Sequence, residues 1–178
     1  MNYLNYCFIF ICMSLFISCD KENNVDVPDP EPWYMGYFEG TINGIPVSIK
    51  NTGDTDRPIK PYTYIIHPDG IEEYGWAVPV NDLWLDIMLT PLTEGQHTIT
   101  NGDIANGIEY SHIIKDMNKE TEKIYYPDKE SFNITIKSKK FKPNSAFPYL
   151  EGTMSGIFCN INDPNDQITL KDVKFGIH

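Results

Sequence analysis

The residue with the most definite chemistry is Cys19. It follows the apolar run Cys7 to Ile17 and then Ser18, and it precedes Asp20-Lys21-Glu22. A small residue followed by a cysteine, at the end of a short apolar leader, resembles a bacterial lipobox. In that pattern signal peptidase cuts before the cysteine and the new N-terminus receives lipid. Residues 1–18 are therefore read as a lipoprotein signal peptide and Cys19 as the lipidated residue. The apolar run falls short of the roughly 20 residues of a spanning helix and fits the ~7–15 residues of a secretory core. The leader carries no Lys or Arg, so only its terminal amine is positive. Two or more acyl chains anchor far more firmly than one, which places the mature chain at a membrane and outside the cytoplasm.

The remaining reactive residues point to less. Glu72, Glu73, Asp82, Asp86 and Asp128 could supply the paired carboxylates of a glycosidase. An acidic chain has many carboxylates by chance, however, and sequence gives no distance between them. His67, His97 and His112 lack zinc-ligand spacing. Asn160, Asn162, Asp163, Asn165 and Asp166 form an oxygen-rich loop that could hold calcium, yet Asp-Pro-Asn is also ordinary turn chemistry. No metal site is assigned. Cys159 is the one cysteine left after Cys7 and Cys12 depart with the leader and Cys19 takes lipid. It lies in an apolar strand and reads as a small buried residue. No Gly-x-Ser-x-Gly, His-Glu-x-x-His or phosphate-cradling loop is present, so no catalytic residue is assigned and no cofactor is expected. Aromatic residues remain. Trp33, Trp84, Tyr125 and Tyr126 are the candidate ligand-binding residues, because flat rings near Asn and Asp suit the apolar face and hydroxyls of a sugar. The competing role is packing on a sheet.

Net charge bounds the partners. The chain carries −11 at neutral pH, whereas nucleic-acid binding normally leaves a basic footprint. Nucleic acid is excluded as a partner, and the acyl chains, not surface charge, must hold the protein to a bilayer. Residues 19–32 read as an acidic, Pro-rich tether, too polar to order itself and extended by proline. Residues 33–178 read as a single domain.

The elements that must position these residues are strands. Phe38–Ile42 and Ile45–Ile49 flank Asn43-Gly44, the sequence of a type I′ hairpin. Tyr62 to Ile66, then Tyr74 to Val80, alternate around a turn at Pro68-Asp69-Gly70. Leu83, Leu85, Ile87 and Leu89 make the clearest period-2 face, with Trp84, Asp86 and Met88 opposite. A short strand is expected over Gly95–Thr100. Two more, Tyr110–Ile114 and Lys123–Tyr126, should flank an exposed turn. Phe132, Ile134 and Ile136 alternate again, and Lys137–Lys142 reads as a solvated connection. The C-terminus reads as a long hairpin, Tyr149–Ile161 and Gln167–Ile177. Its second strand changes phase between Leu170 and Val173, which a bulge near Asp172 would reconcile. The segment Tyr37–Ile45 is similar to Tyr149–Ile157, read as two strands meeting one packing problem. The expected fold is all-β, an antiparallel β-sandwich of about 8–10 short strands, with a lipocalin-like closed barrel as the alternative.

The order of these landmarks, from Thr41-Ile42-Asn43-Gly44-Ile45-Pro46-Val47 to Leu150-Glu151-Gly152-Thr153-Met154-Ser155-Gly156-Ile157-Phe158 paired with Ile168–Phe175, resembles the small lipoproteins of Bacteroidetes that carry a domain of unknown function. The resemblance implies a β fold and an envelope location and carries no chemistry. Asp20 and Glu22 resemble the surface-export signal of that phylum, interrupted by Lys21, so an outer-membrane lipoprotein facing outward is preferred over a periplasmic one. The expected function is that of a membrane-tethered, non-enzymatic envelope lipoprotein binding an extracellular glycan or envelope protein. The alternatives are a polysaccharide hydrolase using Asp/Glu pairs and a structural or adhesion component.

Overall fold

A computed structural model describes residues 36–52, 58–99, 110–128, 132–143 and 145–177. Cys19, Trp33, the leader and the tether lie outside the described residues. Those residues form eleven strands: β1 (Tyr37–Ile42), β2 (Ile45–Lys50), β3 (Lys60–Ile66), β4 (Glu72–Val80), β5 (Leu83–Leu89), β6 (Gly95–Ile99), β7 (Tyr110–Lys115), β8 (Lys123–Pro127), β9 (Phe132–Lys140), β10 (Tyr149–Asn160) and β11 (Asp163–Ile177).

All eleven belong to one antiparallel sheet. Its order is β2-β1-β11-β10-β8-β7-β5-β4-β3, with β9 on β10 and β6 on β9. The fork lies on β10. Its first half, Tyr149–Ser155, takes β9, and its last residues, Phe158–Asn160, take β8. The sheet curls so that its two wings meet. Trp76 on β4 stacks 5.7 Å from Phe175 on β11, and the Tyr74 hydroxyl donates to the Pro148 carbonyl at 3.1 Å. The all-β antiparallel class is as expected. The hydrogen bonding runs through one sheet where a sandwich has two, while the core is packed face to face in the sandwich manner. Among the described residues no pairing joins β2 to β3 at the ends of the order, so the curl is a half-barrel, not a closed one.

Local chemistry sets the turns and register. Asn43 and Gly44 both have positive φ, 51° and 77°, and Ile42 pairs with Ile45 across them, as a type I′ turn requires. Asn43 also fixes the hairpin to β11: its N–H donates to the Thr169 carbonyl and its Oδ1 accepts from the Thr169 N–H. On β5, Leu85, Ile87 and Leu89 are buried, while Trp84, Asp86 and Met88 lie half-buried on the other face. On β11 the bulge is present. Met154 faces Val173, but Gly156 faces Leu170, so Lys171 and Asp172 together oppose Ser155. Asp172 takes the strain at φ 53°. The extra residue turns Ile168 and Leu170, and then Val173, Phe175 and Ile177, to the same side, and all five are buried.

Two features refine the expected map. The basic stretch Lys137–Lys140 continues β9 instead of forming a connection, because Glu151, Leu150 and Tyr149 of the longer β10 pair with Ser138, Lys139 and Lys140. Backbone pairing costs these lysines nothing when their ammonium groups stay at the surface, and Lys139 meets the Glu72 carboxylate there. The similar segments Tyr37–Ile45 and Tyr149–Ile157 flank β11 on its two sides. The matching glycines each make room for a β11 side chain. A Cβ on Gly40 would lie 2.7 Å from Val173 Cγ2, and one on Gly152 would lie 2.6 Å from Phe175 Cζ.

Candidate ligand groove

One end of the half-barrel gathers the β4–β5 turn and the β7–β8 turn. Asn81 adopts φ 56° between the paired Val80 and Leu83, and Asp116 and Asn118 adopt φ 56° and 68° in the longer turn. Asn and Asp tolerate this region better than other side chains. The Asp116 N–H donates to the Asp82 carbonyl at 2.9 Å, so one turn is hydrogen-bonded to the other. The longer turn is braced internally by Lys119 N–H to the Asp116 carbonyl at 3.0 Å and by Asn118 N–H to Glu122 Oε2 at 3.2 Å.

Between the two turns runs a groove of about 400 Å³ whose lining includes Asn81, Asp82, Trp84, Asp116, Met117 and Lys119. That volume lies within the size range of small-ligand sites. Trp84 reaches it because the period of β5 sends Leu85 inward and Trp84 outward, opposite Pro79 on β4 and Ile114 on β7. Met117, 45% exposed, stands at its rim. The charges are matched. Lys119 donates to Asp116 Oδ1, and Lys115 lies 4.0 Å from Asp82 Oδ2. The Lys119 hydrogen bond holds the Asp116 carboxyl below the usual carboxylate range, and Asp116 in turn holds the Lys119 ammonium above its ordinary value. Both groups keep their charges at neutral pH.

The sequence candidates divide among different places. Trp84 is in the groove. Tyr126 lies half-buried on the same outer face, opposite Cys159 on β10 and with its ring 6.2 Å from that of His112. Tyr125 points the other way, as adjacent strand residues must. At 1% exposure it offers no ring face to a ligand, which corrects its place among the candidate ligand-binding residues in favour of packing. Its hydroxyl donates to Asp166 Oδ2 at 3.1 Å, which also accepts from Lys123 Nζ at 2.7 Å and Asn160 Nδ2 at 3.0 Å. The oxygen-rich loop thus serves its own hairpin: Asn160 Oδ1 takes the Asn162 N–H and Asp163 Oδ1 takes the Asn165 N–H. Among the described residues no group of three or more His, Cys, Asp or Glu is arranged to hold a metal.

The other reactive residues fall into local pairs. Glu72 meets Lys139, and Glu73 lies 3.5 Å from His67. His97 Nε2 sits 2.9 Å from the Thr93 carbonyl. Asp86 accepts from the Tyr62 hydroxyl at 2.6 Å and lies 3.9 Å from His112 Nε2. Burial lowers the His112 pKa, with the Asp86 charge opposing it. Cys159 is one strand further on than Tyr126, so β8 keeps its backbone about 10 Å from that of His112. Burial pushes its thiol upward, the Asp128 charge adds to this, and a hydrogen bond from Gln167 opposes it. The net rise favours the protonated thiol, a poor nucleophile.

Asn81, Asp116, Met117 and Lys119 were not singled out by sequence reasoning. Their signal is two polar turns, Asn81-Asp82 between β4 and β5 and Asp116-Met117-Asn118-Lys119 between β7 and β8, which show that turns exist but not that they face each other.

Asp166 carries a pH prediction. Its carboxyl is lowered from 3.8 to about 2, first by the Lys123 hydrogen bond and then by Asn160. A depressed carboxyl stabilises the fold fully above its unfolded value, and that stability is lost as pH falls through the folded value. The melting temperature of the wild-type chain should therefore fall between about pH 4 and about pH 2. Asp166→Asn should flatten that part of the profile and lower the plateau at pH 7. A variant with an unchanged slope in this window would assign the acid sensitivity elsewhere.

The fold and groove define an antiparallel all-β domain with a shallow polar and aromatic site at one end. Residues 35–178 match the model of the family described as a domain of unknown function (DUF5025), and the chain belongs to that family. Comparison with curated proteins and with solved structures finds no match.

Proposed function

We propose that this chain is a lipid-anchored protein of the bacterial outer membrane, facing outward, whose β domain binds an extracellular glycan without transforming it. Acylation of Cys19 and the acidic, Pro-rich residues 19–32 supply the anchor and the reach. A Bacteroidetes source is part of the same reading, by the resemblance of the strand landmarks. The observation that carries the binding function is Trp84. It is a half-buried indole facing outward at a groove where Asn81, Asp82, Asp116 and Lys119 offer both donors and acceptors. A sugar ring needs that combination, an apolar surface under its C–H face and hydrogen-bonding groups at its edge.

The hydrolase alternative asks for a carboxylic acid with a raised pKa facing a second carboxylate. Asp116 is displaced in the opposite direction by Lys119, so it is poorly suited to act as the acid. The test is a glycan array probed with the detergent-solubilised full chain, combined with crosslinking and mass spectrometry on intact cells. We expect glycan capture, weakened about tenfold or more by Trp84→Ala, which corresponds to roughly the worth of one aromatic stacking contact. Palmitate should label the wild-type chain but not Cys19→Ala. Turnover of a captured glycan would overturn the non-catalytic reading, and crosslinks to one envelope protein with no glycan captured would replace the glycan with that protein.

A further inference from the structure

We infer that the Trp84 groove selects uncharged saccharides and rejects those bearing uronate or sulfate groups. This rests on the glycan-binding reading above and specifies its ligand class. Each groove carboxylate already has a lysine: Asp116 has Lys119, and Asp82 has Lys115. An anionic sugar would either share Lys119 with Asp116, setting two negative charges around one ammonium, or draw Lys119 away and leave Asp116 uncovered beside the ligand. The long-range field acts in the same direction, because a chain of net charge −11 repels a polyanion on approach.

A neutral hydroxyl meets none of these penalties. Asp116 gives Oδ1 to Lys119, and Asp82 faces Lys115 through Oδ2. A carboxylate has about four acceptor sites, and an ammonium has three donors, so each paired group keeps capacity for a further hydrogen bond. The Asn81 amide can donate and accept. A hydroxyl that donates to a carboxylate oxygen while accepting from Lys119 or Asn81 adds to the ion pairs without breaking them, and the hydrogen bond between the two turns holds these groups in place beforehand. Preorganisation of this kind lowers the cost of binding. An electroneutral site has a further signature. Affinity for its ligand should be nearly independent of ionic strength, whereas binding driven by charge weakens as salt screens it.

The experiment titrates the full chain with oligomers of glucose, mannose and galacturonate by calorimetry at low and high salt, with Trp84→Ala as the site control and thermal unfolding as the folding control. We expect a neutral oligomer to bind, galacturonate to bind at least about tenfold more weakly, and the neutral affinity to change less than about twofold with salt. Lys119→Gln, which uncovers Asp116, should weaken galacturonate binding further. If galacturonate binds as well as the neutral oligomers, and Trp84→Ala abolishes it, the selectivity inference falls and the glycan reading stands. If none of the three oligomers binds, the glycan reading falls and takes this inference with it.

Discussion

Replacing Trp76 by alanine should destabilise the domain by about 3–5 kcal/mol, whereas Trp76→Phe should leave it within about 1 kcal/mol of wild type. Trp76 is fully buried at the seam where the two wings of the sheet meet, 5.7 Å from the Phe175 ring and 5.8 Å from the Tyr74 ring. Truncation to alanine removes the largest side chain of the core and leaves a void between β4 and β11. The strands cannot close it without breaking their ladders. A domain of this size is stable by roughly 5–15 kcal/mol, so the loss is a large share of the whole. Phenylalanine acts differently for a specific reason. The Trp76 indole Nε1 is buried without a hydrogen-bond partner among the described residues, and such a group costs about 1–3 kcal/mol. Phenylalanine removes that N–H and keeps most of the ring contact, so the smaller void is offset. Urea unfolding followed by circular dichroism checks both, with the midpoint moving and the slope unchanged. A Trp76→Phe cost well above about 1 kcal/mol would show that the orphaned N–H carries little penalty.

Much of this core was legible in the sequence because alternation is a direct record of which face is buried. Leu85, Ile87 and Leu89 point inward as their spacing indicates, and the phase change on the last strand located a bulge that Asp172 provides. Asn43-Gly44 fixed its turn type, since few residue pairs tolerate two positive φ values. The path of the sheet was not legible. Period 2 says that a strand has an inside and an outside, and it is silent on whether two inner faces belong to one curled sheet or to two separate ones. That depends on β10 sharing its length between β9 and β8, a choice made by pairings far apart in sequence.

The site shows the same division. Trp84 was identifiable because it breaks an apolar alternation on the outward phase of β5. Tyr125 and Tyr126 were indistinguishable in sequence, since both are aromatic and adjacent. The pleat separates them, and the Asp166 carboxylate that accepts from the Tyr125 hydroxyl, like the Asn160 amide that also donates to it, comes from the C-terminal hairpin far along the chain. The groove lay beyond sequence reasoning altogether. It exists because Asp82 and Asp116, 34 positions apart, are brought together by β5 pairing with β7.

Gly152→Ala should cost about 3 kcal/mol, near the upper end for overpacking, although it adds a single methyl group. Gly152 sits in mid-strand on β10, opposite Phe175 on one side and Ile136 on the other. A Cβ there would lie 2.3 Å from the Thr135 carbonyl oxygen and 2.6 Å from Phe175 Cζ. The Phe175 ring could tilt, but it is fully buried and packed on Trp76, so movement passes the strain to the seam between the wings. The Thr135 carbonyl belongs to the backbone of β9 and can retreat only if β9 separates from β10. Reduced freedom of the unfolded chain returns about 0.4–1 kcal/mol to any Gly→Ala change, which is too little to compensate. Gly44→Ala provides the comparison. Nothing lies within 4 Å of its Cβ position and only its φ of 77° opposes the change, so it should cost about 1–2 kcal/mol. Adding Phe175→Leu to Gly152→Ala should recover little, because the carbonyl contact remains. Urea midpoints for the three variants decide the matter: a Gly152→Ala cost no larger than that of Gly44→Ala would mean that β9 and β10 separate easily, and that the fork in the sheet is not the rigid corner on which the half-barrel turns.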